Sequence, residues 1–442
     1  METRNIAGRI GQEAEPSLAA PAPDGPPTRY AWYVVGLLMA AYTLSFIDRK
    51  LPFILVESIK KDLSLTDTQI GLLTGVMFAL VYSIAGVPLG RLSDRGSRKS
   101  ILALAVLAWS GLTALGGFAS NFWWLGASRA GVAAGEAVCT PAAHSMIADY
   151  VSPAYRARAL GVYLVGGQLG ILMGLSLGGL ISDLANWRVA MWSLGIPGAL
   201  LAALIWLTVK EPPRRADPPA VTAPSRQGMV EAIRLFAVHP VLRNLFLAIT
   251  FASITSGAFQ AFAPAYVMRS FGLTTSETGW TYGLVLGLAG MAGTLLGGMV
   301  GDRLRSGTPG RALRWVAVSV LGGALSLGAA LIAPGYGIFL AFTFVMQAGA
   351  LTSAGPAFAT IQSIVPSRMH AMASAIYLFG GSGIGLSVGP LAAGLISDRL
   401  AGLAPGEALR LALLVLAVPN LIAALCFYRA SRGLRAAAAA AR

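Results

Sequence analysis

Leu65-Thr66-Asp67-Thr68-Gln69-Ile70-Gly71 returns 208 residues later as Leu273-Thr274-Thr275-Ser276-Glu277-Thr278-Gly279. At the same offset Gly75 meets Gly283, Gly90 meets Gly298 and Asp94-Arg95 meets Asp302-Arg303. Further along, Tyr163, Gly166 and Gly167 return as Tyr377, Gly380 and Gly381 at an offset of 214. Gly179-Leu180-Ile181-Ser182-Asp183 returns as Gly394-Leu395-Ile396-Ser397-Asp398 at 215. A single match among apolar runs is easily accidental. Four in register mark a chain whose second half repeats its first.

What is repeated is apolar. The chain has 442 residues, 55% of them hydrophobic and 12% charged, against about 25% charged in a soluble globule. A membrane span needs roughly 20 apolar residues, and runs of that kind fall near 31–56, 68–90, 100–119, 122–149, 157–182 and 188–209, then 241–268, 277–300, 312–332, 335–364, 370–397 and 406–428. The expected fold is an all-α integral membrane protein, with twelve transmembrane helices in two pseudo-symmetric six-helix bundles. The abundant glycine, 53 residues, fits helices that pack closely in lipid through small side chains. Cys139 and Cys426 both lie in apolar runs and imply no disulfide framework.

Residues 1–29 are Pro/Ala-rich, carry no cleavable signal and read as a disordered cytoplasmic tail. Residues 30–209 form the first bundle and 241–428 the second. Between them 210–240 is a proline- and charge-rich cytoplasmic linker that ends in a short amphipathic helix on the membrane surface. Residues 429–442 are a cytoplasmic tail, closing in an alanine-rich run that carries no functional signal. With both termini inside, 24 of the 33 Lys and Arg fall in cytoplasmic segments and seven, Lys50 among them, in outer ones. That bias places both termini in the cytoplasm and the protein in the plasma (inner) membrane. The net charge of +14 is thereby assigned to the anionic lipid face rather than to nucleic acid.

Four charges stand inside spans. Asp48 and Arg49 interrupt the first run, and Arg129 and Glu136 lie two turns apart on one face of the fourth helix. Charges in hydrocarbon are costly and face a protein interior or a watery cavity. Together they make a neutral quartet, expected to face a central cavity and to respond to a proton. At the repeat offsets the second half places Ser256, Gly257, Phe344 and Leu351 instead. One cavity wall is therefore charged and the other apolar, with polar points at Gln260, Gln347, Tyr377 and Asn420. Parallel six-span repeats with a site between the halves are the plan of a rocking transporter.

Gly90-Arg91-Leu92-Ser93-Asp94-Arg95-Gly96-Ser97-Arg98-Lys99 resembles the loop between the second and third helices of the major facilitator superfamily, although glycine stands at 96 and serine at 97. Arg129-x-x-x-Ala133-x-Gly135 is similar to that superfamily's fourth-helix motif, and the glycines of the fifth span, from Gly161 to Gly179, to its antiporter helix. A cytoplasmic gate is expected at Gly90, Asp94, Arg95, Arg98 and Asp149. Within the superfamily, Asp48-Arg49, Ala134-Gly135-Glu136-Ala137, Ile147-Ala148-Asp149-Tyr150 and Arg156-Ala157-Arg158-Ala159 resemble the Spinster family. The same first- and fourth-span features occur in symporters of sugar acids. The Spinster resemblance implies a proton-coupled carrier of an amphiphile such as sphingosine-1-phosphate or a lysophospholipid. In it Asp48 would be the proton-responsive carboxylate, Arg49 and Glu136 its partners and Arg129 a supporting charge, with Arg49 also meeting the substrate. Ser45 stands where that family often has asparagine.

An enzyme is not expected: the chain has three scattered histidines, His144 among them, no metal-ligand spacing, no nucleophile elbow and no GxxxxGK[ST]. No cofactor is implied, so the energy source is a proton gradient. The expected partners are membrane lipid, protons and an amphiphilic or small organic-anion substrate, and the expected state is a monomer. A sensor on a transporter fold is the remaining alternative, whereas a channel sits poorly with paired halves.

Overall fold

The computed structural model describes residues 25–212, 226–305, 310–366 and 369–440; the side chains of residues 87, 90–95, 226–227, 300–302, 305, 354, 437 and 440 lie outside the description. The expected tail over residues 1–24 and most of the proline-rich linker therefore fall outside it. Among the described residues, eleven helices are long and apolar enough to cross a membrane. In the first half these are Arg29–Ile54 (first), Asp67–Gly86 (second), Arg98–Gly116 (third), Pro153–Leu184 (fifth) and Trp187–Thr208 (sixth).

The fourth helix of the expected twelve is present but broken. Phe122–Glu136 gives way at Ala137-Val138 to Cys139–Tyr150. Pro141 supplies the reason, because it has no N–H to bond the carbonyl four residues back, at Ala137. In the second half the spans are Pro240–Phe271 (seventh), Thr275–Met299 (eighth), Arg311–Leu331 (ninth), Tyr336–Ile364 (tenth), His370–Arg399 (eleventh) and Pro405–Ala436 (twelfth). The tenth repeats the break of the fourth, between Tyr336–Ala350 and Ala354–Ile364, with Pro356 set four residues beyond Thr352.

Polar side chains set the helix ends. Thr28 Oγ1 accepts from the amide of Ala31 (3.1 Å) to start the first helix, and Asn121 Oδ1 accepts from Trp124 (2.9 Å) to start the fourth. Thr66 and Gln69 form a reciprocal capping box at the start of the second. The stretch read as a loop at 90–99 is largely helix. The second helix continues to Arg95, and Ser97 caps the third. The C-terminal helix does not stop at residue 428 but runs to Ala440, as alanine, the strongest helix former, allows. The amphipathic segment of the linker is a helix, Arg226–Val238, whose Ala232 and Phe236 are buried against Val241, Leu242 and Leu245 of the second half.

The two halves join at the end of the molecule opposite the termini. Here the repeated motifs meet each other, crosswise. Gly71 of the second helix lies against the backbone of Pro390, and Gly394 of the eleventh against Asp67. In the mirrored contact Gly279 of the eighth helix lies against Leu175, and Gly179 of the fifth against Thr275. A Cβ at any of these would strike backbone. The aspartates that close the same motifs complete each contact. Asp398 accepts from the amides of Asp67 (3.0 Å) and Thr68 (2.8 Å), and Asp183 from that of Ser276 (2.7 Å). Each half thus caps a helix N-terminus of the other, where free N–H groups favour negative charge.

Ion pairs reinforce one of the two contacts. Arg269 of the seventh helix grips Asp67 with two nitrogens (2.8 and 2.9 Å) and holds Glu57 (2.7 Å). Lys60 (2.5 Å) and Ser397 (2.7 Å) also reach Asp67.

Candidate functional site

From that junction the packed seam runs to mid-depth, where a cavity of about 220 Å³ opens between the halves. The first helix passes through this level without ending, carrying Asp48, Arg49 and Lys50 inside it and Pro52 in its last turn. Pro52 cannot donate to the carbonyl of Asp48, four residues back. Arg129 Nη1 from the fourth helix donates to that carbonyl instead (3.2 Å). Neighbouring helices commonly re-satisfy backbone groups freed by proline in a membrane. Arg129, 3% exposed, therefore ties the fourth helix to the backbone of the first.

Consecutive helical residues point about 100° apart, and the adjacent charges separate accordingly. Arg49 lines the cavity. Its Nε donates to Glu136 Oε2 (2.6 Å), and Ser45 Oγ donates to the same oxygen (2.9 Å). Its guanidinium lies over Tyr82 (4.4 Å to the ring centroid) and beside Phe46 (5.1 Å). Glu136 is fully buried where the fourth helix breaks. Asp48 does not face the cavity. It is buried at 2% exposure behind the first helix, with Trp109 and Thr113 beside its carboxyl and its Oδ1 without a hydrogen-bond partner. The four charges do gather, but one at the cavity wall and its neighbour within the first bundle.

The sequence places Lys50 in an outer segment, and the structure corrects this. Its ammonium is buried, lines the cavity, donates to Gln260 Oε1 of the seventh helix and lies over Phe53 (5.0 Å). A lysine two positions before a proline reads as a helix end in sequence. Only the tolerance of a membrane helix for proline keeps it inside.

The opposite wall carries Gly257, Ser382, Leu386 and Pro390. Gly257 holds the repeat position of Arg49. Gln260 also lines a second cavity, of about 230 Å³, inside the second half with Phe259, Met346, Gln347, Leu351 and Asn420. Gln260, Gln347 and Asn420 thus lie where a cavity wall was expected. Tyr377 does not: it is 1% exposed and packed edge-on against Phe358 (5.3 Å). His144 is exposed and edge-on to Tyr163 (5.4 Å), apart from the cluster.

Of the expected gate, the side chains of residues 90–95, and so Gly90, Asp94 and Arg95, lie outside the described ones. Arg98 and Asp149 do pair, but both belong to the first half, where Glu211 (3.1 Å) and Ser145 (2.8 Å) join them. Through Arg98 the pair braces the cytoplasmic end of the first bundle. Glu211, unremarked in the sequence, accepts from the amides of Arg98 (3.1 Å) and Lys99 (2.9 Å) and from Ser97 Oγ (2.8 Å).

A family model described as Major Facilitator Superfamily matches residues 38–383 and 245–442. An MFS-type efflux pump of Mycolicibacterium smegmatis is 34% identical over 410 residues, covering 91% of this chain and 93% of its own. A sphingosine-1-phosphate transporter of Danio rerio is 27% identical over 387 residues, covering 83% and 76%. Among solved structures, a bacterial homolog of the human lysosomal transporter Spinster, inward-facing and unoccupied, matches with a TM-score of 0.80 at 30% identity, covering 92% of this chain and 98% of that one.

Proposed function

The chain belongs to the major facilitator superfamily and resembles its Spinster members, and from that premise we propose that it is a proton-coupled secondary transporter of an amphiphile with a lysolipid-like head and tail. The carrying observation is the pair of cavities that share Gln260. One is walled by Arg49, Lys50 and Arg129, and the other has no charged residue in its lining, where Phe259, Met346 and Leu351 stand beside Gln347 and Asn420. A charged head has its place in the first and an alkyl chain in the second. The named cargo of the Danio rerio relative has this build.

Both termini lie in the cytoplasm on this reading, as the Lys/Arg bias favours. The sealed junction at 57–71 and 269–279 then faces outward, and the cavity is reached from the cytoplasm. The inward-facing state of the Spinster homolog supports this assignment.

Coupling falls to Asp48, Arg49, Glu136 and Arg129. Glu136 holds Arg49 on one side of the first helix, while Asp48 stands on the other side beside the residues that Arg129 ties together. Proton uptake at Asp48 changes the charge facing Arg129 and so biases one arrangement of the first and fourth helices over another. No cofactor enters, and the energy is that of the proton gradient.

The test is proton flux into liposomes holding a pH dye, comparing wild type with Asp48→Asn. Lysolipids are run beside glucuronate, with protein-free liposomes as the leak control. Protein-dependent flux with a lysolipid, lost in Asp48→Asn, is the expected result. Flux with glucuronate alone would move the protein to the small-anion symporters. Equal substrate movement in both proteins without proton flux would leave the charge cluster a structural device.

A further inference from the structure

We infer that Lys50 is the residue that holds the cargo's negative charge, and that its bond to Gln260 is the contact the cargo displaces. The inference rests on the transport reading above and narrows the cargo to a molecule bearing a net anionic group.

The cluster holds three cations and two carboxylates, not the balanced four that the sequence shows. Glu136 is taken by Arg49 and Ser45. Asp48 lies on the far side of the first helix, and Arg129 faces the Asp48 carbonyl and Phe78 (4.7 Å). Arg49 is already neutralised by Glu136 and covered by Tyr82. Arg129 also forms no ion pair among the described residues, but its guanidinium is committed to a backbone carbonyl of its own bundle, so Lys50 is the cation that reaches across the cavity to the other half. It is 7% exposed, its hydrogen-bond acceptor is the uncharged carboxamide of Gln260, and among the described residues no carboxylate forms an ion pair with it.

A buried ammonium without a counter-ion is costly. This one points into the cavity and has three donors, of which Gln260 uses one. An anion there adds the attraction of opposite charges, which an uncharged carboxamide cannot supply, to the hydrogen bond that the ammonium already makes, and so outcompetes the carboxamide. Because Lys50 belongs to the first helix and Gln260 to the seventh, the exchange also releases a tie between the halves at mid-depth. The surplus of one positive charge suits a single net negative charge, whether on a lipid head or on a small hydrophilic acid.

Binding to the purified full-length protein separates these cases. The probes are lysophosphatidylglycerol, lysophosphatidylcholine of the same chain length, and glucuronate. Wild type should bind the anionic lysolipid about tenfold more tightly than the zwitterionic one. Lys50→Gln should abolish that preference by weakening the anionic lipid alone, while Lys50→Arg should keep it; gel filtration of each variant checks folding. Lysophosphatidylglycerol bound equally by wild type and Lys50→Gln would overturn the inference and leave the transport reading intact. Loss of both lipids together would also overturn it, as the mark of a structural role. Glucuronate bound in a Lys50-dependent way, with neither lipid bound, would uphold the role of Lys50 and remove the lipid reading. No binding of any probe by wild type would overturn both.

Discussion

Glu136 and Arg49 show what a single buried pair is worth in this protein. Glu136 has no solvent exposure, and the side chain of Arg49 is 20% exposed at the cavity wall. Removing one member of a buried pair leaves the other uncompensated, at about 3–5 kcal/mol. Glu136→Ala should therefore lower the unfolding free energy by about 3 kcal/mol or more, read by denaturant unfolding in detergent. The double variant with Arg49→Leu should be the more stable of the two, and if it is not, the pair carries no such energy. The sequence shows that these charges must find each other, since charges in a span are few and costly. Which of two adjacent residues faces the cavity is a matter of helix rotation, and rotation depends on neighbours far along the chain. Lys50 was misplaced for a different reason. Pro52 carries the same local signal whether a helix ends or is repaired by Arg129, which lies 81 residues beyond the Asp48 carbonyl that it bonds.

The helices themselves were legible, because 20-residue apolar runs leave few alternatives in lipid. Their interruptions and caps were less so. Pro141 lies in an apolar run, and hydropathy passes over it without a mark. Glu211 caps the third helix from more than a hundred residues away, so no local pattern announces it. Its carboxyl is partly buried, which alone would raise its pKa. The amide of Lys99, the Ser97 hydroxyl and Arg98 outweigh burial and hold it below the ordinary glutamate range. A depressed carboxylate stabilises the fold above its unfolded-state pKa, and the contribution is lost as pH falls through the folded one. Stability attached to the start of the third helix should accordingly fade below about pH 4.5 in wild type. The stability of Glu211→Gln, followed over the same range, should lack that portion of the acid dependence; identical curves would refute the cap's role.

Over the whole molecule, the repeat specifies two six-helix bundles but not which repeated segments touch. The segments that carry Gly71 and Gly394 are not counterparts, yet they meet, because the halves face each other about an approximate two-fold axis. Gly394→Val would drive a side chain into the backbone of Asp67, and the halves should part at that end. Spin labels at Lys61→Cys and Gly402→Cys, on exposed sites of opposite halves, should then move apart by about 5 Å or more, the scale of rigid-body switching. An unchanged distance would mean that the contact does not hold the end shut.

The two crosswise contacts are alike in backbone and unlike in charge. Asp67 gathers Arg269, Lys60 and Ser397, while Thr275 at the repeat position has no charge of its own to gather them with. One edge of the closed end is thus a bolt, the other a plain leaf of interlocked glycine. A change that draws the bolt leaves the leaf in place. The end then swings like a door on the side that has no ion pair among the described residues, where Asp183 holds only the amide of Ser276, instead of splitting evenly down the middle.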